Sequence, residues 1–173
     1  MLSNPQNSPP EENQHALLAS VRQRIAHAAA AAGRDVHSIT LLAVTKGQDA
    51  TRIRAAMALG LNEFGENYVG EALPKIQALR DTPAAWHFIG RLQANKTRAV
   101  AESFSWVHSV DRLQIAQRLD SQRPPQAPAL NVCVQVHIAA DPDKGGVAPE
   151  AVLPLLQAIT RLPRLRLRGL MCM

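Results

Sequence analysis

The chain carries 19 basic residues, of which only Lys46, Lys75, Lys96 and Lys144 are lysines. A lysine amine, unlike a guanidinium, can lose its proton when desolvated and attack an aldehyde to form a Schiff base. Lys46 closes the apolar run Ile39-Thr40-Leu41-Leu42-Ala43-Val44-Thr45, where a buried parallel strand would open into a site. A solvated charge at a strand end is the plainer reading of the same position. Lys144 follows the run Val132-Cys133-Val134-Gln135-Val136-His137-Ile138 in the polar loop Asp141-Pro142-Asp143-Lys144-Gly145-Gly146. If both runs are parallel strands their loops emerge at one rim, and two neighbouring amines would lower each other's pKa.

Three more groups of polar residues follow short apolar runs. Glu66 and Asn67, in Phe64-Gly65-Glu66-Asn67-Tyr68, stand at a helix start, where they either cap it or face a ligand. Gln93, Asn95 and Lys96 follow Gly90 at another helix start, and either cap it or take an anion on its free backbone donors. His87 lies inside Trp86-His87-Phe88-Ile89, as a hydrogen-bonded core histidine or a general base.

The elements that must position these residues repeat a pattern of apolar run, turn and amphipathic stretch. Strands are predicted over Ile39–Thr45, Glu63–Gly65, Trp86–Ile89, Trp106–His108, Leu130–Ile138 and Leu165–Met171. Helices are predicted between them, over Ala50–Ala58, Val69–Leu79, Ala94–Ala101, Arg112–Leu119 and Pro149–Ile159. A first helix from Glu11 to Ala32 carries Leu17, Leu18, Val21, Ile25 and Ala28 at helical spacing and stops at Gly33. Residues 1–10 read as a flexible tail. Such alternation gives an α/β fold with a parallel sheet. Neither glycine-rich nucleotide motif follows the first strand, which favours an incomplete (β/α)8 barrel of about six units over a doubly wound sheet. The domain then runs 11–173 and lacks the last units of a closed barrel.

Composition bounds the function. At 173 residues the chain is long enough for one buried core, and with 3% aromatics that core must be built of Ala, Leu, Val and Ile. Cys133 and Cys172 show no metal or redox spacing and are expected to be buried free thiols. No basic-then-apolar leader and no membrane-length run occurs, so a cytoplasmic location and no membrane partner are expected. The net charge is +5, and the excess is C-terminal, with eleven basic to seven acidic residues from 81 onward. Arg161, Arg164, Arg166 and Arg168 alternate with leucines as on a half-exposed strand, and the chain has few aromatics to stack bases. RNA binding is therefore the weakest of three readings.

Four blocks resemble the pyridoxal 5'-phosphate homeostasis protein family: Leu41-Leu42-Ala43-Val44-Thr45-Lys46, Phe64-Gly65-Glu66-Asn67-Tyr68, Trp86-His87-Phe88-Ile89-Gly90-x-Leu92-Gln93-x-Asn95-Lys96 and Leu167-Arg168-Gly169-Leu170-Met171. The resemblance implies a barrel like the N-terminal domain of alanine racemase, and a non-catalytic role in storing and delivering pyridoxal 5'-phosphate (PLP) as an aldimine on Lys46. It makes Asn67, His87, Lys144 and Met171 the other candidate cofactor residues. It also implies a monomer with apo forms of PLP-dependent enzymes as partners, and no nucleic acid. A PLP-dependent amino-acid racemase is the alternative, which needs a second base on the far face of the cofactor. The chain departs from the family at His137, usually Asn, and at Ala139, commonly a small polar residue. Family members also continue past the Gly-Leu-Met block into segments that grip the phosphate. A truncated form with weak cofactor retention is therefore expected.

Overall fold

The computed structural model describes residues 11–138 and 145–173, with side chains from residue 14. The expected tail and Lys144 lie outside the described residues. The chain divides into two compact units, Met1–Leu41 and Leu42–Met173.

The first unit is built on α1 (Glu11–Ala31). Gly33, at φ 61°, ends it: the N–H groups of Gly33 and Arg34 return to the carbonyls of Ala30 and Ala29, the paired bonds of a Schellman stop. A 3-10 turn over Val36–Ser38 follows, capped by the Asp35 carboxylate, which accepts from the His37 N–H at 2.9 Å. The turn also takes the Ile39 N–H, which donates to the Val36 carbonyl.

The second unit is a repeating βα series. Its strands are β1 (Ala43–Val44), β2 (Glu63–Glu66), β3 (Ala85–Phe88), β4 (Trp106–Val110), β5 (Leu130–Gln135) and β6 (Leu165–Met171). Its helices are α2 (Ala50–Ala58), α3 (Val69–Ala78), α4 (Thr97–Ser103), α5 (Leu113–Gln122) and α6 (Val152–Ile159). All six strands are parallel, and they neighbour one another in chain order. A doubly wound sheet reverses its order at a switch point, whereas unbroken sequential order belongs to a (β/α) barrel, six of whose strands lie among the described residues.

Side chains alternate across the strands. One face carries Phe64, Phe88, Val107, Leu130, Val132 and Val134, packed with Ile53, Ala72, Val100, Ile115, Leu119 and Ile159 into the hydrophobic core. Arg123, only 6% exposed, ties the end of this layer together. Its Nη1 donates to the Ala101 and Phe104 carbonyls and its Nε to the Pro128 carbonyl, satisfying acceptors at the C-terminus of α4. The opposite face carries Glu63, Gly65, His87, Trp106, Asn131 and Gln135.

Several predicted boundaries move. The first strand shrinks from Ile39–Thr45 to Ala43–Val44: the Asp35-capped turn takes the chain through Ile39, and pairing with β2 is confined to Ala43 and Val44. The predicted Ala94–Ala101 helix begins as a 3-10 turn over Ala94–Lys96 and becomes α-helical only at Thr97. The fifth strand ends at Gln135, and beyond it Val136 makes an isolated bridge to Val147. Cys133 is buried as expected, but Cys172 is exposed, because it lies one residue past the end of β6. Among the described residues no helix is long and apolar enough to cross a membrane.

Candidate functional site

The C-terminal ends of the strands form one rim. Lys46 lies there, exposed, in the turn two residues past β1, where the Gln48 N–H donates to the Thr45 carbonyl at 3.0 Å. Among the described residues its side chain has no hydrogen-bond or ion-pair partner. Asn67 follows directly on β2, and β1 and β2 are in register through Val44 and Gly65, so the two residues stand at the ends of adjacent strands. The Asn67 side-chain oxygen is buried with no partner among the described residues. Gly90, after β3, fits closely against Asn67. A Cβ on Gly90 would come within 2.1 Å of the Asn67 carbonyl oxygen, so only glycine allows the two backbones to approach this far. The Ser109 hydroxyl donates to the Gly90 carbonyl from β4. Met171 ends β6 opposite Gln135, four strands from Asn67 along the same sheet.

Behind the rim, the turn holding Lys46 rests on a buried ion pair. Glu66 is fully buried, and its Oε1 accepts from the Lys75 ammonium at 2.8 Å and from the Thr45 hydroxyl at 2.6 Å. Lys75 also donates to the Thr45 carbonyl at 2.9 Å. The capping alternative for Glu66 is thereby replaced by an anchoring one. Lys75 was not a candidate on sequence, since its role appears only when α3 is laid against the end of β1.

His87 is not on the rim. It pairs in register with Gly65, which pairs with Val44, so it sits below Lys46 inside the sheet and is 4% exposed. Its Nε2 contacts Glu63 Oε2 at 2.5 Å and its Nδ1 contacts His108 Nε2 at 2.9 Å. With both rings neutral, His108 donates to His87 and His87 donates to Glu63, so each contact has one donor and one acceptor. The Trp106 ring stacks on His87 at 5.3 Å between centroids, and the Arg168 guanidinium lies 5.5 Å from the centre of Trp106 on that ring's face. Burial drives the His108 pKa down to about 4, aided by His87, and burial also lowers that of His87 against the opposing pull of Glu63. The core-histidine alternative describes this residue. Glu63, His108 and Trp106 were missed on sequence, where they read as ordinary strand positions.

Beside Asn67 the rim opens into a groove of about 1030 Å³, lined among others by Gly90, Arg91, Gln93, Lys96 and Arg112. Gln93, Asn95 and Lys96, which the sequence sets at one helix start, line this groove next to Asn67. Among the described residues no cluster of His, Cys, Asp and Glu could hold a metal ion.

Comparison with known proteins agrees with the parallel, barrel-like order of the strands. The family model described as alanine racemase, N-terminal domain, matches residues 18–173. The chain is 56% identical over 154 residues to the pyridoxal phosphate homeostasis protein of Pseudomonas aeruginosa, an alignment covering 89% of this chain and 67% of that one. It is similar to PipY of Synechococcus elongatus, solved without PLP, at 38% identity and a TM-score of 0.74, covering 86% of this chain and 69% of that one. PipY solved with PLP bound matches at 38% identity and a TM-score of 0.71, covering 78% and 63% respectively.

Proposed function

The chain belongs to the alanine racemase N-terminal domain family, and from that premise we propose that it is a non-catalytic PLP-binding protein of cofactor homeostasis that carries the cofactor on Lys46. The observation that carries this reading is the placement of Lys46: an exposed amine without a partner among the described residues, at the rim where a (β/α) barrel builds its sites. When bound, PLP supplies an aldehyde that condenses with a neutral primary amine, forming C=N and releasing one water. The residues present fit that end of the cofactor. Lys46 offers the nucleophile, and the buried Asn67 oxygen offers an acceptor to a hydroxyl group. Met171 and Lys144 complete the proposed set, Met171 from the end of β6. His87 acts in this reading from beneath, through the packed face that supports the rim. The protein that receives the cofactor would be an apo PLP-dependent enzyme.

The test is absorption of the purified chain with added PLP, then borohydride reduction and peptide mapping. The expected result is a band near about 420 nm, with the reduced label on Lys46 and its disappearance from that peptide in Lys46→Ala. Label scattered evenly over the lysines would sink the proposal. So would steady interconversion of L- and D-alanine lost in Lys46→Ala, which would show a racemase instead.

A further inference from the structure

The direction of a side chain is set by the two peptide planes that flank its Cα. At Lys46 both planes are tied to one face of α3. The Thr45–Lys46 peptide is held through its oxygen, which accepts from the Lys75 ammonium at 2.9 Å. The Lys46–Gly47 peptide is held through its nitrogen, which donates to Glu71 Oε2 at 3.2 Å. Glu71 and Lys75 are four residues apart in α3 and so lie one turn apart on the same side of the helix. Their charges match what they hold, an anion on the N–H and a cation on the carbonyl. Lys75 is itself fixed by Glu66, which is fully buried and also takes the Thr45 hydroxyl. Gly47, at φ 71°, takes the left-handed conformation that turns the chain away just after this held peptide.

We infer that Glu71, Lys75 and Glu66 are positioning residues that clamp the backbone on either side of Lys46, so that its free amine is presented to an aldehyde in one orientation. The inference rests on the reading that Lys46 carries PLP. None of the three touches the aldehyde. They remove the turn's freedom before binding, so that little ordering remains when the bond forms. The same contacts make the two nearest lysines unequal, since Lys75 is engaged by a carboxylate and a carbonyl while Lys46 is not.

The experiment measures the initial rate of borohydride-fixed PLP labelling at Lys46 relative to Lys96 in the same sample, so that loss of protein affects both. Glu71 is exposed, and Glu71→Ala should keep its circular dichroism spectrum while the Lys46:Lys96 ratio falls roughly 3- to 10-fold, the scale of one lost hydrogen bond. Glu71→Gln keeps an acceptor for the Gly47 N–H without the charge, and should restore the native ratio. The double variant Glu66→Gln with Lys75→Met removes the buried pair without stranding a charge, and should lower the ratio further. A native ratio in Glu71→Ala overturns the clamp. An equal loss in Glu71→Gln also overturns it, because charge rather than the hydrogen bond would then be acting. A native chain that shows no preference for Lys46 would remove the PLP reading itself, and this inference with it.

Discussion

His108 and His87 enter the folded state as neutral rings, and that makes them a source of acid sensitivity. In the unfolded chain a histidine takes up its proton near pH 6.5, but in the fold burial holds His108 down to about 4 and lowers His87 as well. Below pH 6.5 the unfolded state therefore binds more protons than the folded state, and stability falls as pH drops through the window from about 6.5 to about 4. Burial sets the sign of this shift. Glu63 favours the charged form of His87, but desolvation outweighs it. Chemical denaturation at pH 7 and pH 5 should show this loss, and His108→Gln should shrink the difference between the two. A variant with the native pH dependence would mean that the acid response arises elsewhere. At this scale the sequence was legible where one residue type had a chemistry of its own. Lys46 stood out as a lysine among arginines at a strand end. Glu63, His108 and Lys75 did not, because their meaning lies in a partner 21, 24 or 30 positions away.

At the joint between β2 and β3 the backbone of Gly90 lies close against that of Asn67, and glycine is what permits it. Gly90→Ala would place a Cβ 2.1 Å from the Asn67 oxygen, against main chain that cannot swing aside. Overpacking of this kind costs typically about 1–3 kcal/mol, and here the upper end is expected, together with displacement of Asn67. Gly65→Ala is the contrast. Its Cβ would meet the Ile89 and Leu42 side chains at 3.1 and 3.3 Å, atoms at the ends of flexible chains, and the loss should stay below about 1 kcal/mol. Urea titration of the two variants checks the order, and a Gly90→Ala as stable as Gly65→Ala would show that the joint is looser than its geometry. The elements themselves were legible where periodicity ran unopposed. Helix α2 occupies the predicted Ala50–Ala58, and β6 the predicted Leu165–Met171. The reading failed where local capping competes with apolar pattern: Asp35 caps a 3-10 turn over Val36–Ser38 that takes in Ile39, the predicted start of a strand that begins at Ala43. A carboxylate two residues ahead of the N–H it caps was the signal available there.

The barrel order of the strands leaves β1 and β6 each bonded to one neighbour among the described residues. Two-residue β1 offers little to pair with, but β6 is seven residues long, and an edge of that length, wherever it is left unpaired, is a template for another strand. Its sequence resists this use. Arg166 and Arg168 project exposed charge, and Gly169, at φ 151°, sits where the β5–β6 register shifts, which twists the edge away from a straight partner. Two of the arginines that alternate with leucine there have partners within the fold. Arg168 reaches Asn131 at 2.7 Å as well as the Trp106 face, and Arg164 donates to the Arg123 carbonyl at 2.8 Å. Arg166 is the residue whose charge is spent on the edge alone, so Arg166→Val should leave the core untouched, raise the β-propensity of the strand and remove its charge barrier. Sedimentation velocity across a concentration series should then show more association of the variant than of the native chain at equal concentration. If the variant associates no more than the native chain, the register shift at Gly169 protects the edge without help from charge, and Gly169→Val in the Arg166→Val background becomes the change that exposes it.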